Sequence, residues 1–432
     1  MKKYKIVILV CAFTLLGIFI YKVSKTSNAY EKNENNQIKK HVDTISMMLE
    51  TKAGSGNYEM ATREAWPTDG YVFNTILSKC ENGSTLSWDD NNKKVIMSGN
   101  VSDKCYVYFD KIMTLSEYVI AQYDEVQGNN NIYYHDSSLE NGAGDNSYRY
   151  AGASESVNNF VCFGSDDNPC PADNLYRIIG VFESQVKLIK ATDANSTLLG
   201  TNGAYDSNAD GYAWTNLDSC PSTTAYIFNN DVVALSNKNV LGAVPGKVTG
   251  GCNIWKYSNL NRVNLNANFI TNLGAKWADV IDSVTWKVSG YSTANITAKT
   301  MYTAEIRNAT KTYGPSDGTS KVGLMYASDY GFAARPSAWT MLLSSYNDSS
   351  IKSTNWIYNA GMEWTMTPDS SDNDNAFILS YVTNVSNTGN LGSWASSDAG
   401  AGFGARPVMY LNASVVYTRG SGTASDPIRI EI

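Results

Sequence analysis

The sequence predicts an α+β protein in which one N-terminal transmembrane helix and a small β-rich domain precede a larger main domain. Three observations carry that expectation. Residues 6–21 (IVILVCAFTLLGIFIY) hold no charge and follow the basic start Met1-Lys2-Lys3-Tyr4-Lys5. Beyond them, short runs rich in Val, Ile, Tyr and Phe alternate with Asn, Asp and Gly clusters, the pattern of strands and turns. In the C-terminal two thirds, strand-like runs come first and last and helical periodicity lies between them, which is an α+β order.

The apolar run is sixteen residues long, short of the roughly 20 that a spanning helix prefers. Tyr4 and Tyr21 can sit at the interfaces while Lys5 and Lys22 snorkel, which makes up the length. The lysines before the run favour an N-terminus inside the cell membrane and the bulk of the chain outside it. The alternative is a secreted protein cleaved near Ala29, since Ser27-Asn28-Ala29 offers a small-x-small site. Gly17 stands where prepilins carry Glu, which weakens a pilin-like reading of the same segment.

The first 29 residues contain five lysines and no acid, so the remainder carries −12 within a whole-chain charge of −7. Such a surface repels phosphate backbones and excludes nucleic acid as a partner. Aromatic residues reach 12% while charged residues are only 17%. Tyr set among Ser, Asn and Gly suits recognition surfaces, and it equally suits half-buried strands.

Apart from Cys11, the cysteines are Cys80, Cys105, Cys162, Cys170, Cys220 and Cys252. An even set in an exported chain reads as disulfides. Proximity favours Cys80–Cys105, Cys162–Cys170 and Cys220–Cys252. Zinc is a weak competitor, because no C-x2-C spacing occurs and only His41 and His135 could add imidazoles.

Five segments follow from these patterns. Residues 1–29 hold the cytoplasmic tip, the anchor and the start of a tether. Residues 30–57 continue the tether into an amphipathic helix, in which Ile38, Val42, Ile45 and Leu49 recur at spacings of four, three and four. Residues 58–110 form a small β module with strands near 86–88, 94–97 and 105–109. Residues 111–147 are a linker with a short helix opened by the capping box Thr114-Leu115-Ser116-Glu117. Residues 148–432 are the main domain, with helices near 259–273 and 276–283.

Several candidate sites lie in the main domain. Asp206-x-Asn208-x-Asp210-Gly211 has the spacing of a calcium loop, although Leu217 occupies the twelfth position where an EF-hand needs Glu. Calcium is therefore the one cofactor considered, against a plain Asx-rich turn. Asp369, Asp372 and Asp374 form a second acidic loop. His135 as a base and Glu363 as a hydrolytic acid are the catalytic candidates, each with an ordinary structural alternative. The small-polar stretch 384–404 is the candidate contact surface, with Asn384, Trp394, Ser396, Ser397, Asp398 and Phe403 as its ligand-binding residues.

Five motifs run in order along the main domain. They are Tyr176-Arg177-Ile178-Ile179-Gly180, Trp255-x-x-Ser258-x-Leu260-x4-Leu265-Asn266-x-x-Phe269, Gly323-Leu324-Met325-Tyr326-Ala327-Ser328-Asp329-Tyr330, Trp356-Ile357-Tyr358 with Trp364-Thr365, and Ala405-Arg406-Pro407-Val408-Met409-Tyr410-Leu411. Together they resemble a family of exported bacterial domains, common in gut Firmicutes, for which no activity is assigned. The resemblance implies a C-type-lectin-like main domain, the fold also used by sulfatase-modifying factors. Those formylglycine-generating enzymes need active cysteines late in the domain, and this chain has none after Cys252.

The function expected on these grounds is a membrane-anchored cell-surface binding or adhesion protein, non-catalytic, that recognises a glycan or protein ligand. A pilin-like appendage subunit, a retroelement-diversified ligand-binding protein and an exported hydrolase are the alternatives.

Overall fold

A computed structural model describes residues 45–61, 70–207, 210–213, 225–228, 231–234, 255–291, 293–306, 318–368, 375–379, 391–395 and 402–432. The chain divides into two units, Met1–Asp110 and Lys111–Ile432.

The first unit is built on β1 (Ile45–Glu50), β2 (Tyr58–Met60), β3 (Tyr71–Phe73), β4 (Lys79–Cys80), β5 (Thr85–Asp89), β6 (Lys94–Ser98) and β7 (Cys105–Lys111). Its sheet runs β2-β1-β7-β3, β4 also pairs with β7, and β5 and β6 form a separate hairpin. Alternation in β7 buries Cys105, Val107 and Phe109. The Trp88 and Phe73 rings meet Phe109 edge-on at 4.9 and 5.7 Å. A disulfide joins Cys80 to Cys105 across the β4–β7 pair. Next to it the buried Asp103 carboxylate accepts from the Asn82 and Ser84 N–H groups at 2.8 and 3.0 Å, which fixes the turn.

The amphipathic helix expected to run through Ile45 and Leu49 is a strand. Ile45, Met47 and Leu49 also share one face at a period of two, and parallel pairing sets Met47 beside Val107 and Leu49 beside Phe109. Those neighbours supply the apolar cover that a solitary helix would lack, so pairing overrides the local 3.6-residue spacing. Ile38 and Val42 lie outside the described residues.

The second unit opens with the helix Leu115–Tyr123. Its Thr114–Glu117 capping box is formed, with Glu117 N–H donating to Thr114 Oγ1 at 3.2 Å and Thr114 N–H to Glu117 Oε2 at 2.9 Å. The main sheet uses β8 (Ile132–His135), β9 (Ser147–Tyr150), β10 (Phe160–Cys162), β11 (Leu175–Phe182) and β12 (Gln185–Lys190). Smaller hairpins are β13 (Tyr205–Asp206) with β14 (Gly211–Tyr212), β15 (Ala225–Phe228) with β16 (Asp231–Ala234), and β17 (Val284–Trp286) with β18 (Gly318–Ser320). Then come β19 (Val322–Gly323), a three-stranded sheet of β20 (Glu363–Pro368), β21 (Asn375–Leu379) and β22 (Leu391–Ala395), and finally β23 (Val408–Leu411), β24 (Val416–Arg419) and β25 (Arg429–Glu431).

The order of the main sheet is β19-β23-β12-β11-β9-β8, with β10 also on β11, and every pair is antiparallel. Positions 176–181 of β11 are buried on both faces. Gly180 is required there, since a Cβ would lie 2.1 Å from the Tyr148 carbonyl oxygen of β9. The two ends of the unit meet. Leu115 N–H donates to Val415 O at 2.7 Å, and the Tyr118 and Tyr417 rings stack at 3.9 Å.

The helix expected near 259–273 forms as a wide π-type run, Leu260–Phe269, continued by Ile270–Leu273. It packs Leu260, Leu265 and Phe269 into the core. Its asparagines bind neighbouring backbone: Asn264 donates to Leu199 O and Asn202 O at 2.8 and 3.0 Å, and Asn266 donates to Val322 O at 2.8 Å and accepts from Val322 N–H at 2.9 Å. The helix expected near 276–283 shrinks to one turn, Ala275–Ala278.

The expected fold class and membrane localisation are corrected here. The structure has mixed helix and strand content, 22% and 32%. Among the described residues no helix is long and apolar enough to cross a membrane. The continuous helical run 260–273 falls short of the roughly 20 apolar residues needed and carries five asparagines. The apolar segment 6–21 lies outside the described residues, so no anchor is carried forward.

Phe109 is the centre of the first unit's core. Phe109→Ala is expected to destabilise it by about 3–5 kcal/mol, whereas Ile96→Ala, at a 45% exposed position, stays within about 0.5 kcal/mol. Urea denaturation of the two variants checks this.

Candidate functional site

Several ionisable side chains buried in the second unit engage one another. Asp329, near the start of the helix Ala327–Ala333, accepts from Lys187 Nζ at 2.5 Å and from Arg149 Nη1 at 3.4 Å. Arg149 also reaches Asp145 at 2.6 Å and Ser147 Oγ at 2.8 Å. Aromatic faces cover both cations: Phe182 lies 4.6 Å from the Arg149 guanidinium, and Tyr326 lies 4.6 Å from the Lys187 ammonium. Burial alone would push the Asp145 carboxyl up, but the Arg149 charge and the Ser147 hydroxyl hold it well below the usual carboxylate range.

A second cluster holds the candidate acid Glu363 and the motif arginines Arg177 and Arg406. Glu363 is 1% exposed and receives Arg406 Nε and Nη2, each at 2.5 Å. Arg406 Nη2 donates further to Ile357 O at 2.7 Å. Arg177 donates to Asn159 Oδ1, Ser154 Oγ and Val157 O at 2.6, 2.7 and 2.9 Å between the Phe160 and Trp356 rings. Glu363 is thus a closed ion-pair partner. His135 is a core histidine: it is 0% exposed, its Nδ1 accepts from Ala143 N–H at 3.1 Å, and Phe332 and Trp339 flank it. Burial, followed by the Arg149 charge, pushes its pKa well below the ordinary value and keeps it neutral.

Of the calcium candidates, two lie among the described residues. Asp206 and Asp210 flank the β13–β14 turn, Asp210 Oδ1 accepts from the Tyr205 hydroxyl at 2.8 Å, and Asn208 lies outside the described residues. The only cluster of metal-ligand type among the described residues is Cys80, Asp103 and Cys105, and its sulfurs are joined as a disulfide. Of the expected contact surface, Asn384, Ser396, Ser397 and Asp398 lie outside the described residues, as do Asp369, Asp372 and Asp374. Trp394 belongs to β22, paired with Ala376. Phe403 is a correction. It is 6% exposed, packs on Trp364 at 4.9 Å and exchanges backbone hydrogen bonds with Tyr212, so it serves the core. Cys162–Cys170 is the second disulfide present, and Cys220 and Cys252 lie outside the described residues.

The site that remains open is a polar cleft of about 210 Å³. Tyr176 at the start of β11 and Lys190 at the end of β12, which are register partners, form its floor. One wall is the segment after β10, closed by the Cys162–Cys170 bridge and contributing Gly164, Asp173 and Asn174. A surface ion pair, Lys276–Asp166 at 2.5 Å, spans from this wall to the turn Ala275–Ala278. Gly164 has φ +90°, and a Cβ there would lie 2.7 Å from Asn174 Nδ2, so the wall needs glycine. The other wall is the short helix Ser196–Leu199 with Asn272 behind it. Asn195 caps that helix through Leu198 N–H at 3.0 Å, and Asn272 Nδ2 donates to Thr197 O and Leu198 O at 3.1 and 3.0 Å.

Lys190 is 2% exposed, and its Nζ donates to Thr192 Oγ1 at 3.3 Å. Burial pushes its ammonium pKa down, while Asp173 and Asp193 pull it back. A run of charge inside an otherwise apolar strand, Gln185-Val186-Lys187-Leu188-Ile189-Lys190, is the signal that could have found Lys187 and Lys190 in the sequence. Asp329 and Arg149 carried no comparable mark.

Comparison with known proteins finds no family model, no curated protein and no solved structure that matches the chain.

Glu305 gives a pH test of this interior. It is 0% exposed, and its Oε1 accepts from Thr367 Oγ1 at 2.5 Å and Ser328 N–H at 3.3 Å. Oε2 has no partner among the described residues. Burial raises the pKa to about 8, so the folded state keeps a proton that the unfolded state releases near the ordinary glutamate value of 4.5. This stabilisation is complete below pH 4.5 and is lost as pH rises through about 8, with a slope of up to about 1.4 kcal/mol per pH unit. Glu305→Gln is expected to flatten that slope in denaturation curves taken from pH 5 to 8. Asp329→Ala, which removes the carboxylate that Lys187 pairs with and leaves Arg149 with Asp145, is expected to cost about 3–5 kcal/mol.

Proposed function

We propose that this is a non-catalytic recognition protein of an oxidising compartment that binds a glycan or protein ligand through its second unit. The observation that carries the reading is the cleft over Tyr176 and Lys190. Its walls are amides and hydroxyls held by a disulfide, a helix cap and backbone hydrogen bonds. A polar pocket fixed before the ligand arrives loses little entropy on binding, which is the physics of recognition sites. Pairing of Glu363 with Arg406 and burial of His135 favour binding over hydrolysis, since neither group faces a substrate. Disulfides belong to oxidising spaces, and Cys80–Cys105 and Cys162–Cys170 motivate that part of the reading.

Two measurements test it. Maleimide is expected to leave Cys80, Cys105, Cys162 and Cys170 unlabelled in native material until a reductant is added; reduced cysteines would remove the compartment. Glycan and protein arrays probed with the oxidised full chain are expected to return a ligand, and arrays that stay blank overturn the function.

A further inference from the structure

The cleft's chemistry narrows the ligand class, and this step rests on the recognition reading above. We propose that the cleft holds one neutral sugar ring of hexose size, free or at the end of a glycan. Four features lead there.

The first is size. About 210 Å³ is below the roughly 300–1,000 Å³ of sites for drug-sized ligands, so one ring is accommodated and a second must project outward. The second is charge. The Lys190 ammonium already feels the opposite charges of Asp173 and Asp193, and Asp173 itself lines the cleft. A carboxylate ligand would meet Asp173, and a cationic one would meet Lys190. A neutral ligand meets neither penalty.

The third is the hydrogen-bonding inventory. Among the described residues, Lys190 uses one of its three N–H donors, on Thr192. Asn195 spends its Oδ1 on the helix cap, which leaves its amide donors. Asn174 and Asn272 spend their amide N–H groups on Phe163 O and on Thr197 O and Leu198 O, which leaves their Oδ1 acceptors. Donors and acceptors are therefore both left within one small lining. Sugar hydroxyls, which donate and accept at once, satisfy both kinds. The fourth is the apolar share of the lining. Half-buried Leu198 offers apolar surface to the C–H face of a ring, backed by the buried Tyr176 and Leu273, and a linear polyol would use that surface poorly.

The test uses the oxidised full chain and methyl glycosides of neutral hexoses, with glucuronate and glycine as charged and zwitterionic comparators. Titration calorimetry is expected to give a Kd of about millimolar for at least one hexoside, the level for some twelve heavy atoms at ordinary ligand efficiency. Lys190→Met keeps the aliphatic stem and removes the donors. Asn195→Asp preserves the helix cap and replaces the free amide donors with a carboxylate. Each is expected to weaken hexoside binding at least tenfold with an unchanged melting temperature for Asn195→Asp.

Hexoside binding that survives in both folded variants overturns the assignment of the cleft while leaving the recognition function standing. Preference for glucuronate or glycine over every hexoside overturns the ligand class. Failure to bind any of these probes, with blank arrays as well, overturns the recognition reading itself.

Discussion

Asp329 brings a negative charge into the interior of the second unit, where Lys187 and Arg149 meet it at 2.5 and 3.4 Å. A charge removed from water is tolerated only with a partner of opposite sign and a full set of hydrogen bonds. Those partners come from β9, from β12 and from the helix Ala327–Ala333. The three elements are therefore tied together: without the helix Lys187 loses its carboxylate, and without either strand Asp329 loses a cation. Pairing of this kind does not add much net stability over an apolar core. It penalises every other arrangement of the same elements.

The same rule governs the Arg177 and Arg406 positions. Arg177 is satisfied by carbonyl and amide oxygens between two rings, and Arg406 by the Glu363 carboxylate and the Ile357 carbonyl. With β11 and β12 fixed from both sides, the Tyr176–Lys190 pair at their ends is fixed as well. The cleft floor thus inherits its rigidity from charges deeper in the sheet. The disulfide at Cys162–Cys170 and the asparagines of the long helix then hold the two walls. Asparagine suits that task because its amide can replace both halves of a missing backbone partner, as Asn266 does for Val322.

Much of the local structure was legible in the residues. Alternation marked the strands of the first unit, Thr114 and Glu117 marked a helix start, and sequence proximity selected the two disulfides observed. The five motifs supply buried framework: Arg177, Trp255, Leu265, Asp329, Trp356, Trp364 and Arg406 are all at most 4% exposed. Other expectations failed for identifiable reasons. Ile45 and Leu49 fit a helical spacing, but their strand partner Val107–Phe109 lies some sixty residues away in sequence. Phe403, set among glycines and serines, read as an exposed aromatic because Trp364 and Tyr212, which cover it, are distant along the chain.

By itself the sequence determined what depends on neighbours within a few residues: turn chemistry, helix caps, strand periodicity, charge balance and the short disulfide loops. Tertiary structure decided which buried charges pair, which aromatic is core, and where a polar space stays open. Those outcomes depend on desolvation and on contacts between segments far apart along the chain. A residue such as Lys190 acquires its character only when Asp173, Asp193 and Tyr176 are folded around it.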